Sequence, residues 1–407
     1  MYENAAILAA VVLIYSAAAG RVERSWLSGP ILFTVFGLVL GPAGIGVLQL
    51  QLSSENLRTL AELALSMVLF TDAARADLGV VRQTVALPER LLLIGLPLTI
   101  VLGFLVGLVV FPGINILEVA LLAALLAPTD AALGAPVVSN AAVPSATREA
   151  LNLESGLNDG ICVPVVIILL DLAIGHELTG GTAQHIFLVV SEEIGIGLLT
   201  GLVLTAIAVA VLKLAVRRGW SGQHWEHIPV VALAALCFTA AQALGGSGFI
   251  ACFTGGLLFG FLQGERKQDL LGGATSTGEV LALLTWVAFG GPVLGRLLGQ
   301  ITWQAALYAV LSLTVIRMLP VFLSLAGTGM STGRKLFIGW FGPRGLASIV
   351  FAVIVFDAGL PGRNTLAVTA ACTVLLSVIV HGMTANPVIA AMWGSSRASA
   401  EGSEASG

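Results

Sequence analysis

Residues Asn152–Gly160 read N-L-E-S-G-L-N-D-G and begin an apolar run of about membrane-spanning length. The beginning of this run carries Glu154, Ser155, Asn158 and Asp159. A charge at the centre of a bilayer costs about 2.5–3.5 kcal/mol on insertion scales. Two carboxylates at this position therefore indicate a function or a charged partner.

The helical repeat places these side chains on one side of the predicted span. If the helix begins near Glu149, Asp159 lies about 15 Å along it, roughly half of a ~30 Å hydrocarbon core. Glu154 and Asn158 are four residues apart and share one face, while Ser155 and Asp159 share the adjacent face. We therefore predict a strip of oxygen ligands along this helix.

The composition is that of a membrane protein. The chain has 407 residues, of which 57% are hydrophobic and 10% charged, and its mean hydropathy is +0.98. Soluble domains carry about 25% charged residues. The net charge of −4 includes no basic block that would indicate nucleic-acid binding. We predict an all-α, polytopic membrane protein.

Hydropathy predicts about thirteen transmembrane helices. Their approximate limits are 4–20, 29–50, 57–74, 90–111, 115–138, 149–174, 184–216, 227–244, 248–264, 275–298, 302–326, 334–357 and 364–393. With the N-terminus outside, 14 of the 19 basic residues fall on the cytoplasmic side and three outside. The positive-inside rule therefore favours an outside N-terminus and a cytoplasmic C-terminus.

Two predicted spans carry a proline beside a polar residue in mid-run. Span 5 contains Ala127–Asp130 (A-P-T-D), and span 12 contains Gly342–Gly345 (G-P-R-G), with the two prolines 215 residues apart. Matched interrupted helices are typical of secondary transporters built from inverted repeats. We predict two inverted six-helix repeats, spans 1–6 and 8–13, linked by helix 7, with broken helices 5 and 12 crossing at mid-membrane.

The polar residues of this helix resemble those of a known family. The Asn158-Asp159 pair, preceded by Glu154-Ser155, resembles the bacterial sodium/proton antiporters of the cation:proton antiporter superfamily, in the NhaP/NHE branch. The resemblance covers essentially the whole chain, down to V-H-G-M-T at 380–384 in the last span.

The resemblance implies a role for each residue of an ion- and proton-binding site. Asp159 is expected to bind a cation and a proton in turn. Thr129 and Asp130, at the crossing of the unwound helices, are expected to complete the cation shell with help from Ser155.

A second group of residues is expected to support that site. The resemblance implies that Glu154 forms an ion pair with Arg317 and that Asn158 holds this arrangement. Arg344 is expected to face the second helix break and to compensate its freed carbonyls. The charges alone leave open whether Glu154 pairs with Arg317 or with Arg344.

The chemistry of the four ligand residues agrees with cation exchange. Hard monovalent cations prefer carboxylate, hydroxyl and carbonyl oxygens, which Thr129, Asp130, Ser155 and Asp159 offer as a Na+ site. Burial disfavours the charged form of a carboxyl group, so one group could exchange a proton for a cation. We therefore predict competition between Na+ and H+ at Asp159, and electroneutral exchange because Asn158 is neutral.

The resemblance also implies an assembly. Relatives form dimers that move a core bundle against a dimerisation scaffold, and we expect a homodimer in the bacterial inner (cell) membrane. The predicted parts are a transmembrane domain at 1–393, comprising a core at about 90–174 and 302–393 and a scaffold at about 1–74 and 184–298, and a short disordered cytoplasmic tail at 394–407. We therefore expect no regulatory domain in this tail.

Several alternatives stay open. Li+ or K+ could replace Na+, and a K+-selective antiporter is the principal alternative. A cation channel is disfavoured by the proline-broken repeats. An intramembrane aspartyl protease using Asp130 and Asp159 would need motifs that are missing, so we predict no enzyme and no cofactor. His224 and His227, in the basic loop after span 7, are more simply solvated loop residues than pH sensors.

Overall fold

The computed structural model describes residues 2–22, 27–50, 53–76, 86–130, 133–175, 182–220, 222 and 227–404. Only the backbone is described for residues 54, 135, 182–190 and 394–404. Within these ranges the regular structure is helical and no β-strand occurs. Arg24, Arg82 and His224, used in the topology and loop predictions, lie outside the described residues.

The principal helices follow the predicted spans in order. They are α1 Tyr2–Val22, α2 Gly29–Leu40, α3 Ser54–Arg75, α4 Ala86–Val110, α5 Ile116–Leu125, α6 Ala135–Val138, α7 Ser145–Ile174, α8 Thr182–Arg217, α9 Ile228–Ala243, α10 Gly248–Gln263, α11 Lys267–Ala288, α12 Trp303–Leu313, α13 Val315–Ser324, α14 Thr332–Trp340, α15 Leu346–Asp357 and α16 Arg363–Glu404.

Length and composition support a membrane protein. Among the described residues, seven helical stretches are long and apolar enough to span a bilayer, and α2, α5, α9 and α15 are shorter apolar helices. Proline-broken and closely joined helices cannot be counted as spans by this criterion alone. The total of thirteen crossings and the inverted repeats therefore stay predictions.

Both predicted helix breaks are present and they contact each other. The described residues 126–130 and 133–134, between α5 and α6, are not helical, and neither are residues 341–345, between α14 and α15. The backbone N–H of Asp130 donates to the carbonyl of Pro343 at 2.8 Å. Proline removes a backbone donor and disfavours the helical conformation before it, which explains why each helix ends there.

Span 11 contains a third interruption that hydropathy did not predict. The stretch 302–326 divides into α12 and α13 at Thr314, whose backbone has φ −110° and ψ −93°. The hydroxyl of Thr314 donates to the carbonyl of Val310 at 2.6 Å, a type of bond that bends helices. The interruption precedes Arg317 by less than one turn.

Glycines bring the backbones of the predicted scaffold together. Beta-carbons at Gly256 and Gly260 of α10 would overlap the backbone carbonyls of Phe70 and Ala74 in α3. Only a residue without a side chain permits this approach, as expected for small-residue packing between membrane helices. The pair α3–α10 therefore forms a close-packed support behind α7.

The end of α16 differs from its prediction. The backbone is helical as far as Glu404, whereas the sequence predicts a disordered tail from Gly394. Residues 394–404 include four serines and two glycines, which are weaker helix formers than alanine. The helix therefore continues there in spite of local propensity.

Candidate cation site at the helix breaks

The strip of polar residues on α7 is buried. Glu154, Ser155, Asn158 and Asp159 are each between 0 and 4% exposed. The glycine face of the same helix, at Gly156 and Gly160, packs against α10. Because that face is occupied by α10, the polar faces of α7 are available to the helix breaks.

Two residues of α7 bind Thr129 in the first break. Asn158 accepts a hydrogen bond from the Thr129 backbone N–H at 3.2 Å and donates its amide to the Thr129 hydroxyl at 2.8 Å. Ser155 donates its hydroxyl to the Thr129 carbonyl. These contacts satisfy backbone groups that the unwound helix leaves without partners. Asn158 therefore orients Thr129, and its expected role in holding the Glu154–Arg317 pair stays a prediction.

Asp130 caps the helix after the second break. One carboxylate oxygen accepts from the backbone N–H of Leu346 at 2.9 Å, and the other from that of Leu133 at 3.3 Å. A β-carbon at Gly345 would overlap this carboxylate. A negative charge at the N-terminus of α15 is favoured by the free N–H groups and the helix dipole. Asp130 therefore joins the two breaks.

Asp159 differs from its neighbours in having a free oxygen. Its side chain is 3% exposed, yet Oδ1 accepts no hydrogen bond from any described part of the chain. A small pocket is lined by residues that include Thr129, Asp130 and Ser155 but not Asp159. Three of the four predicted ligands thus share one pocket, while the fourth lies one helical turn from Ser155.

The buried ion pair is formed by Glu154 and Arg317. The guanidinium donates to both carboxylate oxygens, at 2.5 and 2.8 Å, and both side chains are 1% exposed. Bidentate geometry of this kind gives the strongest charge-assisted hydrogen bonds. Of the two arginines that the sequence left open as partners, Arg317 is therefore the one that pairs with Glu154.

Arg344 donates to carbonyls of both breaks. Its Nη1 lies 3.2 Å from the carbonyl oxygens of Pro128 and Gly342, which the unwound backbone leaves without helical partners. Its Nε and Nη2 are buried and have no hydrogen-bond partner in the described structure. Arg344 therefore places a positive charge where the two breaks meet.

A family model identifies the chain. The model described as "Sodium/hydrogen exchanger, transmembrane" matches residues 7–391. The chain belongs to this family. Together with the apolar helices, membership makes this exchanger-family chain a multi-pass integral membrane protein.

Individual relatives match nearly the whole of this chain. The K(+)/H(+) antiporter NhaP2 of Shewanella sp. (strain MR-4) is 27% identical over 389 residues, covering 93% of this chain and 64% of the relative. The K(+)/H(+) antiporter NhaP of Alkalimonas amylolytica is 24% identical over 393 residues, covering 95% and 66%. The chain thus spans about two thirds, or slightly less, of the length of these relatives.

A solved structure has the same fold. The sodium proton antiporter MjNhaP1 from Methanocaldococcus jannaschii, at pH 8, superposes with a TM-score of 0.75 over 95% of this chain and 97% of that chain. The two sequences are 20% identical. The exchanger fold is therefore retained at low sequence identity.

Sequence reasoning missed one residue that supports the second break. Ser377 in α16 accepts from the backbone N–H of Arg344 at 2.7 Å and lies 3.1 Å from Nδ1 of His381. Nε2 of His381 lies 2.9 Å from the carbonyl of Trp340. A neutral histidine that donates from Nε2 and accepts at Nδ1 satisfies both contacts. The four-residue spacing of Ser377 and His381 was the available signal.

His227 has a local role in the described structure. It occupies the N-cap position of α9, and a β-carbon at Gly273 of α11 would contact its backbone carbonyl and side chain. The position is thus one of close packing between α9 and α11.

Proposed function

We propose that this chain is a monovalent cation/proton antiporter that exchanges Na+, or Li+ or K+, for H+ by alternating access. The observation that carries the proposal is the free Oδ1 of buried Asp159, one helical turn along α7 from Ser155, which hydrogen-bonds Thr129 in the unwound segment. A buried acceptor without a partner costs free energy. A bound proton or a bound cation would each remove that cost.

Competition at Asp159 would couple the two ions. When the carboxyl group is protonated, its negative charge is absent and a cation loses its principal ligand. When it is ionised, Ser155, Thr129 and Asp130 can contribute hydroxyl, carbonyl or carboxylate oxygens to a cation. Exchange then follows because neither the ionised Asp159 carboxylate nor the cation is stable without the other in the buried site.

The neighbouring polar residues support an exchange of one proton for one cation. Asn158 uses both ends of its amide on Thr129, and Glu154 is held in a bidentate pair with Arg317. We therefore do not expect Asn158 or Glu154 to carry a second proton. We propose that one carboxyl group changes its protonation state in each cycle, which makes the exchange electroneutral.

The cation itself has two candidates. The ligand types at Thr129, Asp130, Ser155 and Asp159 suit Na+ and K+ alike. The curated relatives described above are named K(+)/H(+) antiporters, and their names support K+, while the solved relative is titled a sodium proton antiporter. Apparent affinities for Na+, Li+ and K+, measured across pH, distinguish these possibilities.

The central test uses proteoliposomes with a trapped pH dye. An inward cation gradient should drive coupled proton movement with the natural sequence, and Asp159→Asn should abolish it. Asp171→Asn is the matched control, since Asp171 lies three turns further along the same helix, near its end. Wild-type exchange by Asp159→Asn would overturn the proposal.

Electroneutrality has its own test. Initial rates of exchange should be the same with and without an imposed membrane potential. A rate that changes steeply with the potential would contradict one-for-one exchange, while leaving antiport itself intact.

We also propose the assembly and topology that the sequence suggests. The residues of α1 include none that is buried, which supports its contact with lipid or with a second subunit. The proposal is a homodimer in the bacterial cell membrane, with the N-terminus outside, the C-terminus cytoplasmic and a core of 90–174 and 302–393 that moves against the remainder. Crosslinking of single cysteines introduced in α1 tests the dimer.

A further inference from the structure

A second cavity lies away from the candidate cation site. Its volume is about 170 Å³, and it shares no lining residue with the small pocket at Thr129, Asp130 and Ser155. One wall consists of the start of α3 and residues 289–297, and the other of α15 and the first turns of α16. We call it the interhelix slot. It separates the predicted scaffold from the predicted core.

The lining of the interhelix slot does not suit a cation. None of its lining residues is acidic, although cations in proteins need carboxylate or other oxygen ligands. The hydroxyl of Ser348 at one end is already used, because it donates to the carbonyl of Leu125 at 3.1 Å. The slot therefore favours an apolar occupant over an ion.

The slot is elongated. Along α15 its lining extends from Ser348 to Phe356, about 12 Å at the helical rise. Along α16 the lining residues Ala367, Ala370 and Val374 follow one helical face over about 10 Å. The alanines leave room that larger side chains would fill. A long, narrow space of this kind fits a chain better than a compact ring system.

Two arginines lie at one end of the slot, where the carboxylate of Glu118 accepts from the backbone N–H of Gly362 at 2.7 Å. Arg296 lines the slot and is exposed, and the guanidinium of Arg363 lies 5.2 Å from the ring centre of Phe356, another lining residue. The hydrogen bond between Asn364 and Gln300, 2.9 Å long, joins the chain segments that carry the two arginines. No salt bridge to either arginine occurs in the described part of the chain.

The wall that carries Arg296 is irregular. Residues Phe289–Leu294 form a π-helical turn with Pro292 inside it. Such turns occur frequently at functional sites. Here the irregular turn lines the slot at Phe289, Pro292 and Val293, and its last residues lead directly to the arginine at the mouth.

We propose that the interhelix slot binds a single-chain anionic amphiphile of the long-chain fatty-acid class. The carboxylate lies at Arg296, and the hydrocarbon chain extends between residues 289–293 and α15 towards Ser348. Charge complementarity at the mouth, the acid-free lining and the elongated shape support this occupant. Because the chain contacts core and scaffold together, it opposes their relative movement and slows exchange. This last effect, unlike the binding, rests on the proposed function.

Photolabelling tests the binding independently of transport. The full chain, reconstituted in zwitterionic bilayers, is titrated with a fatty acid that carries a photoreactive group on its chain, and labelled peptides are identified by mass spectrometry. Label is expected on α15 and α16. The methyl ester of the probe should bind about tenfold more weakly, because it lacks the charge-assisted bond.

Variants assign the site. Arg296→Gln should weaken labelling about tenfold, and Ala352→Leu should weaken it by filling the half-buried lining position. Arg58→Gln is the matched control, since Arg58 is another arginine on the predicted outer side that does not line the slot. Equal labelling by the acid and its ester, unchanged labelling of Arg296→Gln, or labelling only by a phospholipid probe would overturn the proposal.

Transport is measured separately as uptake of isotopic Na+ or K+, because fatty acids themselves carry protons across bilayers. The fatty acid should slow uptake by the natural sequence more than by Arg296→Gln. Uptake unaffected at saturating label would overturn the effect on exchange. If the natural sequence shows no exchange even without the fatty acid, while labelling is intact, that result would count against the proposed function and not against the slot.

Discussion

The ion pair between Glu154 and Arg317 offers a test of whether buried charges here serve stability or transport. Replacing Glu154 by Gln keeps the size of the side chain and removes its charge. Arg317, which is 1% exposed, would then carry an uncompensated charge. Replacing Arg317 by Met instead leaves Glu154 in the same situation, and the double variant removes both charges.

The expected magnitudes follow from the burial and geometry of the pair. Removing one partner of a buried pair costs about 3–5 kcal/mol, whereas replacing both partners by uncharged groups is often close to neutral. The two hydrogen bonds, 2.5 and 2.8 Å long, place this pair at the strong end of the range. Each single variant should therefore be less stable than both the double variant and the natural sequence.

The assay is reversible unfolding in mixed micelles, with the four proteins forming a double-mutant cycle. Cation/proton exchange is measured on the same samples. Because Asp159 is untouched, the double variant should retain measurable exchange, in contrast to Asp159→Asn. A double variant as unstable as the sum of the single variants would refute the reasoning, since the two charges would then act independently.

Three further predictions concern the helix breaks. Gly345→Ala should lower the free energy of unfolding by about 1–3 kcal/mol through overpacking, because the added β-carbon would overlap a buried carboxylate. Gly113→Ala is the control, since Gly113 has open space around it, and it should have little effect in the same unfolding assay. Asn158→Asp removes the amide donor to Thr129 and should lower the free energy of unfolding by about 1–3 kcal/mol. The loss should be smaller at pH 5 than at pH 8, because a protonated carboxyl group can donate to the Thr129 hydroxyl. An equal loss of stability at the two pH values would contradict this explanation. Ser377→Ala should cost about 1–3 kcal/mol by leaving a buried backbone N–H without its acceptor, and Ser377→Thr, which keeps the hydroxyl, should cost less.

Much of the candidate site could be predicted because its signals are local. The polar strip on α7 follows from four residues within two helical turns, and each break follows from a proline in an apolar run. The pairing of Glu154 with Arg317, by contrast, joins residues 163 positions apart. Charge and spacing alone could not exclude Arg344 as the partner.

The same limit applies to the role of Asp130. From the sequence it is one acid beside a proline, and the resemblance implies a cation ligand. The structure adds that both of its oxygens accept backbone N–H groups, one of them from Leu346, 216 residues away. The role of Asp130 as a cation ligand stays a prediction. If Asp130 binds a cation, it does so while its carboxylate also caps α15.

By itself, the sequence determined that this chain is helical and lies in a membrane, where its buried acids are and where two of its helices must break. These properties depend on hydropathy, helical repeat and the missing N–H of proline, all of which act within a few residues. Only the tertiary structure decided which arginine pairs with Glu154, that Ser377 supports the second break, and that a slot remains between α15, α16 and residues 289–297. Those outcomes depend on how distant helices pack, and packing is set by the shapes of all the contacting faces together.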